Sequence, residues 1–256
     1  MIHKRFVGVV TVRDGWAVQS FGYNRWLPLG RPETLVENLD RWGADEILLQ
    51  VTDRSRRGQG PDFDLLERIA KLGLATPLVY AGGIRGADDA RDVIHTAADR
   101  VCVDALLHDD LPAALAIREQ IGAQGIIAAL PLAIEDGDLR WLDARTGKSR
   151  PLDPALVDGL ADGAISEALV IDWRGEGSPG GFDPALLDGH LPANVPLIAF
   201  GGLSNGMLLR RVLSHAQVAA VALGNFLTYR EHAVQAFKRE LAGLPVRPAM
   251  TAGAGY

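Results

Sequence analysis

The feature that most constrains this chain is an internal echo at nearly constant spacing. Pro77-Leu-Val-Tyr-Ala-Gly-Gly-Ile-Arg85 resembles Pro196-Leu-Ile-Ala-Phe-Gly-Gly-Leu-Ser204, an offset of 119 residues from Pro77 to Pro196. Asp45-Glu46-Ile-Leu-Leu matches Ser166-Glu167-Ala-Leu-Val, 121 residues from Glu46 to Glu167, and Phe6–Val12 lies against Ile126–Leu132 at 120. Any two strand–helix units look somewhat alike, but a constant offset across three separate segments points to a duplicated half.

Each half carries alternating elements. Short apolar or β-branched runs predict strands at Arg5–Thr11, Glu46–Val51, Thr76–Ala81, Arg100–Asp104, Gly125–Pro131, Glu167–Asp172, Val195–Phe200 and Val218–Leu223. Apolar residues every three or four positions predict helices at Glu33–Trp42, Asp62–Lys71, Ala87–Ala97, Leu111–Ile121, Pro154–Leu160, Pro184–His190, Asn205–His215 and Tyr229–Leu241. Asp153 before Pro154, and Asp183 before Pro184, read as N-caps followed by a proline in the first turn. Eight such units in 256 residues fit a closed α/β barrel, the (β/α)8 TIM fold, better than an open doubly wound sheet, since nothing marks a reversal of strand order. The expected organisation is a single domain over 1–256, with half-barrels of about 1–122 and 123–243 and a tail at 244–256.

Composition narrows the function classes. With 26 basic and 32 acidic residues the net charge is −6, the wrong sign for a nucleic-acid footprint. No apolar run approaches the ~18 residues of a membrane span, and Met1–Arg5 is not followed by the apolar core of a signal peptide. The lone Cys102 fits a reducing cytoplasm. No Cys/His set has metal-ligand spacing, so neither a metal nor another cofactor is expected.

In such barrels ligands sit where strands end and loops begin. Gly82-Gly83 and Gly201-Gly202 fall there, each leading into a helix, and glycine lets backbone N–H groups approach a phosphate. Gly177 in the stretch Gly175–Gly181, together with Gly224 and Asn225 after the eighth strand, joins this phosphate or ligand set. Asp88, Asp89 and Asp104 would repel a phosphate at the first cradle. At the opposite end, strands begin with Arg5, Glu46, Arg100 and Glu167, which alternation puts on the same face as Thr11 and Gln50. From the residues alone, four solvated charges are the plainer reading and an ionic ring the sharper one. Asp53, Asp104, Asp172, Arg174, Glu176, Tyr80 and Asn225 are acid, base or polar candidates that sequence leaves unranked, while His108 beside Asp109 and Asp110 reads as a solvated helix start.

Lys4-Arg5, Val12-Arg13-Asp14-Gly15, Gly43-Ala44-Asp45-Glu46, Ala81-Gly82-Gly83-Ile84-Arg85, Ala98-Asp99-Arg100-Val101 and Phe200-Gly201-Gly202 keep both order and spacing. In these the chain resembles the cyclase subunit of imidazole glycerol phosphate synthase, over nearly its whole length to about Leu241. The resemblance implies two phosphate sites at one end of the barrel, a docked class I glutaminase at the other, and ammonia passing between them. It implies that Arg5, Glu46, Arg100 and Glu167 form the family's charged gate, with arginine at the third place where the family has lysine, and that Asp99 faces the glutaminase. The family's two catalytic aspartates fall on Thr11 and Pro131, which cannot do their work unaided. Its loop lysine falls on Gln19, the aspartate ending strand two on Gln50 or Val51, its Asn-Thr on Asp104-Ala105 and its serine before Gly201 on Phe200.

Gate kept and aspartates lost is the pattern of a divergent branch. The loop Trp26–Gly30 and Leu78–Gly83 are similar to homologues in bacterial surface-polysaccharide pathways, where ammonia serves a separate ATP-dependent sugar amidotransferase. The expected role is therefore a subunit that passes ammonia to an amidation, with a phosphorylated or nucleotide-sugar ligand and the cyclase activity lost. A divergent cyclase with displaced acid–base groups, Asp53 or Asp104, and a non-catalytic phosphate-binding barrel are the alternatives.

Overall fold

The structure, a computed structural model, describes residues 3–248; the end of the expected tail, 249–256, lies outside the described residues. In chain order the elements are β1 (Arg5–Arg13), β2 (Trp16–Phe21), β3 (Arg25–Gly30), α1 (Pro32–Arg41), β4 (Glu46–Val51), α2 (Phe63–Ala70), β5 (Leu78–Ala81), α3 (Ala87–Thr96), β6 (Arg100–Val103), α4 (Ala105–Asp109), α5 (Leu111–Ala116), α6 (Arg118–Ile121) and β7 (Ile126–Glu135). The second half continues with β8 (Asp138–Asp143), β9 (Lys148–Pro151), α7 (Pro154–Ala161), β10 (Glu167–Asp172), β11 (Leu197–Phe200), α8 (Gly206–Ser214), β12 (Val218–Leu223) and α9 (Ala233–Glu240). Eight strands, β1, β4, β5, β6, β7, β10, β11 and β12, pair in parallel, and β12 returns to β1 so that the sheet closes into the expected (β/α)8 barrel.

Alternation along these strands sorts the apolar residues into two cores. Outward positions such as Phe6, Ile47, Tyr80, Val101, Leu130 and Val170 pack beneath the helices. Inward positions, among them Val7, Val9, Leu48, Val79, Cys102, Ile127, Leu169 and Ile198, fill the lumen, with the small Ala81, Ala129, Ala220 and Ala222 among them.

The structure changes three local expectations. β1 and β7 run past Thr11 and Pro131 and fold back as antiparallel hairpins, β2–β3 and β8–β9, instead of ending in loops. The signal was present: Asp14-Gly15 and Asp136-Gly137 both adopt positive φ (52° and 77°, 52° and 87°), as a tight hairpin turn matching the strands' twist requires. The helix expected over Leu111–Ile121 is broken into α5 and α6, with Asp110 capping the first through the Ala113 N–H and α4 preceding it. Pro184–His190 shrinks to a 3-10 turn at Pro184–Leu187, still capped by Asp183. Asp153 caps α7 as expected.

Candidate functional site

At the N-terminal end of the barrel, Arg5, Glu46, Arg100 and Glu167 turn inward and pair with one another. Arg5 Nη2 lies 2.5 Å from Glu167 Oε1 and Arg5 Nε lies 3.6 Å from Glu46 Oε2. Arg100 Nη1 reaches Glu46 Oε1 at 3.1 Å and Glu167 Oε2 at 2.6 Å. All four side chains are less than one-fifth exposed, so these are ring members and not solvated strand starts. Burial opposes the Arg100 charge, yet the two carboxylates overcome it and hold the guanidinium pKa above its usual value. Arginine's fork uses its remaining donors on Ser166 Oγ (2.8 Å) and the Gln124 carbonyl (3.0 Å), which one lysine ammonium could not match in this geometry. The weakest edge is Arg5 to Glu46, where Arg5 Nε and Glu46 Oε2 have no hydrogen-bond partner. Asp99 is exposed on the same end, and its carboxylate accepts the Leu78 N–H at 2.8 Å at the start of β5.

At the C-terminal end a cleft opens over the first half of the barrel. Its base is lumen wall, Ala81, Cys102, Ala129 and Ile171, so cleft and lumen are continuous; Gly82, Gly83, Ser55, Gln50, Pro131 and Asp104 stand around it. Tyr23, at the tip of the β2–β3 hairpin, packs on the lumen residues and its hydroxyl meets the Gln50 amide at 3.2–3.3 Å. Burial, with Glu176 nearby, pushes that hydroxyl well above the ordinary tyrosine range and keeps it a proton donor. Thr11 is buried with 6% exposure, and neither Thr11 nor Pro131 offers a carboxylate.

The two glycine pairs share one backbone shape, φ 137° and 69° at Gly82-Gly83 against 112° and 74° at Gly201-Gly202. Their surroundings differ. Gly83 packs against Gln59 and Gly60 and donates its N–H to Ser55 Oγ at 3.1 Å, on the open cleft. Gly202 is covered by the backbone of Gly175, Ser178 and Phe182, and Gly177 by that of Ser20 and Phe21. Asn225, which follows Gly224, spends its amide on the Ser20 main chain (Oδ1 from N at 3.1 Å, Nδ2 to O at 2.6 Å). Both glycine pairs are thus closely covered by neighbouring backbone, and Gly82-Gly83 also lines the cleft. At the first, Asp89 occupies the start of α3, accepting the Arg85 N–H and guanidinium.

The remaining candidates separate by partner. Asp172 accepts N–H groups of Arg174, Gly175 and Asp183, so it shapes the loop; burial nevertheless raises its pKa. Asp53 pairs with Arg57 at 2.9 Å, and Arg174 pairs with Glu135 at 2.5 Å. Glu176 accepts Ser20 Oγ–H at 2.9 Å and clamps the hairpin; Tyr80 faces the outer core and accepts the Asp62 N–H at 2.7 Å. Gln19, on β2, donates to Thr228 Oγ1 at 2.9 Å.

His108 overturns its reading as a solvated helix start. Its side chain is 3% exposed, stacked on Trp141 with centroids 3.6 Å apart, and its Nε2 lies 3.6 Å from Asp104 Oδ1. The hairpin β8–β9, unseen in sequence, supplies Trp141 and Arg150 and so draws the imidazole inward.

A closed eightfold barrel with an ionic floor and an open cleft at its mouth defines the class: a (β/α)8 barrel built to bind at its C-terminal face. Residues 7–233 match the model of the family described as histidine biosynthesis protein, and the chain belongs to that family. It is 30% identical over 246 residues to the imidazole glycerol phosphate synthase subunit HisF of Anoxybacillus flavithermus, covering 93% of this chain and 96% of that one. It is 27% identical to a putative imidazole glycerol phosphate synthase subunit hisF2 of Vibrio vulnificus (94% and 89% covered), and 28% identical to the HisF subunit of Geobacillus thermodenitrificans (96% and 100%). No helix among the described residues is long and apolar enough to cross a membrane.

Proposed function

We propose that this barrel is the ammonia-accepting subunit of a glutamine-dependent synthase, working in the cytoplasm beside a class I glutaminase docked around Asp99. The carrying observation is the floor, four lumen-facing charges joined in a ring at the base of an apolar bore. An ammonium ion entering such a bore loses its hydration without compensation, whereas neutral ammonia loses little, so the wall selects the nucleophile. With Thr11 and Pro131 at the mouth, the family's two-aspartate cyclisation has lost groups worth ~10²–10⁴-fold each. The nitrogen then serves an amidation, in the finer reading a sugar acetamido-to-acetamidino conversion by a separate ATP-dependent sugar amidotransferase, with a phosphorylated or nucleotide-sugar ligand at Gly82 and Gly83.

A second reading is favoured by one observation: Asp104, one of the two carboxylates expected to serve a divergent cyclase, stands in the cleft wall and supports a displaced base. Mixing the purified chain with the glutaminase encoded beside it tests the shared part. A stable complex with stimulated glutamine hydrolysis is expected; no complex and no stimulation would overturn it. Growth of a histidine auxotroph lacking the cyclase subunit then separates the two readings.

A further inference from the structure

We propose that Asp104 is the proton acceptor for nitrogen–carbon bond formation at the barrel mouth, with His108 and Arg150 as its positioning residues. The proposal rests on the second reading above, a divergent cyclase that joins ammonia to carbon at the mouth, and it adds the residues that would position that reading's base.

Place comes first. Asp104 continues the inward series Arg100, Cys102, Asp104 at the end of β6, and it shares the cleft wall with the lumen residues Ala81, Cys102, Ala129 and Ile171. A small nucleophile leaving the bore therefore meets it. Among the described residues lining the cleft it is the one carboxylate. Neighbouring acids are already engaged, Asp53 by Arg57, Asp109 and Asp143 by Arg145, and Asp172 by backbone N–H groups.

The pairing comes next. Asp104 Oδ1 and His108 Nε2 are both buried, both without a hydrogen-bond partner, and face each other at 3.6 Å. Arg150 Nη2 lies 2.9 Å from His108 Nδ1. A guanidinium only donates, so Nδ1 must accept, which places the imidazole proton on Nε2, aimed at Asp104. Trp141 stacks on the ring and Arg150 lies over the same indole at 5.2 Å, which fixes the imidazole plane. A shift of a few tenths of an ångström closes the Nε2–H···Oδ1 bond. The carboxylate's other oxygen is left to the cleft, and the side chain is 37% exposed.

The step balances. The ammonia lone pair forms the new bond to a trigonal carbon, the carbon's π pair moves to its own heteroatom, and the nitrogen's surplus proton passes to Asp104 Oδ2. His108 keeps its proton throughout and holds Oδ1.

Two measurements test this. In ¹⁵N-histidine NMR of the intact chain, His108 is expected to show a protonated Nε2 and a lone-pair Nδ1, with the Nε2 proton signal displaced in Asp104→Asn. An Nδ1–H tautomer, or no displacement, overturns the pairing. For turnover, the probes are ammonium chloride and the substrate from which the HisF relatives form imidazole glycerol phosphate. Asp104→Asn is expected to lower kcat by ~10²-fold or more with KM little changed. His108→Phe, which keeps the ring stack but loses the N–H, should lose roughly tenfold, and His108→Gln should restore part of it. No product from the wild-type chain, or an unaffected Asp104→Asn, overturns the catalytic role. Stimulation of glutamine hydrolysis in the mixed complex persists in Asp104→Asn if ammonia entry is right, so the two ideas fail separately.

Discussion

Floor and mouth of this barrel treat charge in opposite ways. At the floor, two arginines and two glutamates are nearly buried and pair into a neutral ring, whose weakest edge leaves Arg5 Nε and Glu46 Oε2 without a hydrogen bond. At the mouth a single carboxylate, Asp104, faces a cleft and keeps one buried oxygen without a partner. Charges that complete each other hold a shape; a charge left incomplete is available for chemistry. The two glycine pairs show no such contrast, because backbone atoms stand 2.5–2.8 Å from a Cβ built at either Gly83 or Gly202.

The sharpest way to break the contrast is at Arg100, which touches both glutamates. Arg100→Ala leaves two buried carboxylates with only Arg5 between them and is expected to cost about 3 kcal/mol in urea denaturation. A loss below ~1 kcal/mol would mean that the floor charges are solvated after all. In the glutaminase complex the same variant should uncouple glutamine hydrolysis from product.

Gly202→Ala comes next. A Cβ there would stand 2.5 Å from the Gly175 carbonyl oxygen and 2.8 Å from Phe182 N, at φ 74°. Backbone cannot yield as a side chain can, so about 2 kcal/mol is expected from the thermal midpoint. Wild-type stability would show that the Gly175 and Phe182 backbone yields to a Cβ.

A smaller effect is expected at Tyr23→Phe, which keeps the hairpin's plug over the lumen and deletes the hydroxyl bonded to Gln50. The expected loss is about 1 kcal/mol, with faster hydrogen exchange in β2–β3. Unchanged exchange would remove Tyr23 from the closure of the mouth.

The smallest and most pH-dependent effect is at Glu176. Burial raises its carboxyl pKa against the hydrogen bonds from Ser20 and the Tyr23 N–H. The folded state therefore keeps this proton longer than the unfolded chain. Its stabilisation is full below the ordinary glutamate range of ~4.3 and is lost as pH rises through the raised value. Glu176→Gln stays uncharged, so thermal midpoints should match the wild type near pH 4 and exceed it by a few degrees at neutral pH. Parallel curves across that range would show that the carboxyl is not desolvated.

Much of this was legible along the chain. Strand periodicity marked β4, β10 and β12 to the residue, and Asp153 and Asp183 were caps in sequence as in structure. Alternation sets Arg5 on one face with Thr11 and Glu46 with Gln50, but from the residues alone four solvated charges are the plainer reading, and only the closed sheet makes the four neighbours. The hairpins escape strand periodicity because their turns, Asp14-Gly15 and Asp136-Gly137, stand where a strand–helix unit has its connecting loop. His108 was misread because its partners Trp141 and Arg150 lie on a hairpin whose existence had not been inferred.

The order of strands and helices, the internal echo near 120 residues, and the presence of Thr11 and Pro131 near the ends of the first and fifth expected strands are properties of the string of residues, fixed by local periodicity and side-chain identity. Which loops cover the glycine pairs, and which carboxylate faces the cleft, was decided only in three dimensions. Both depend on loops from distant parts of the chain competing for the same space above the barrel, and no local pattern records which of them arrives.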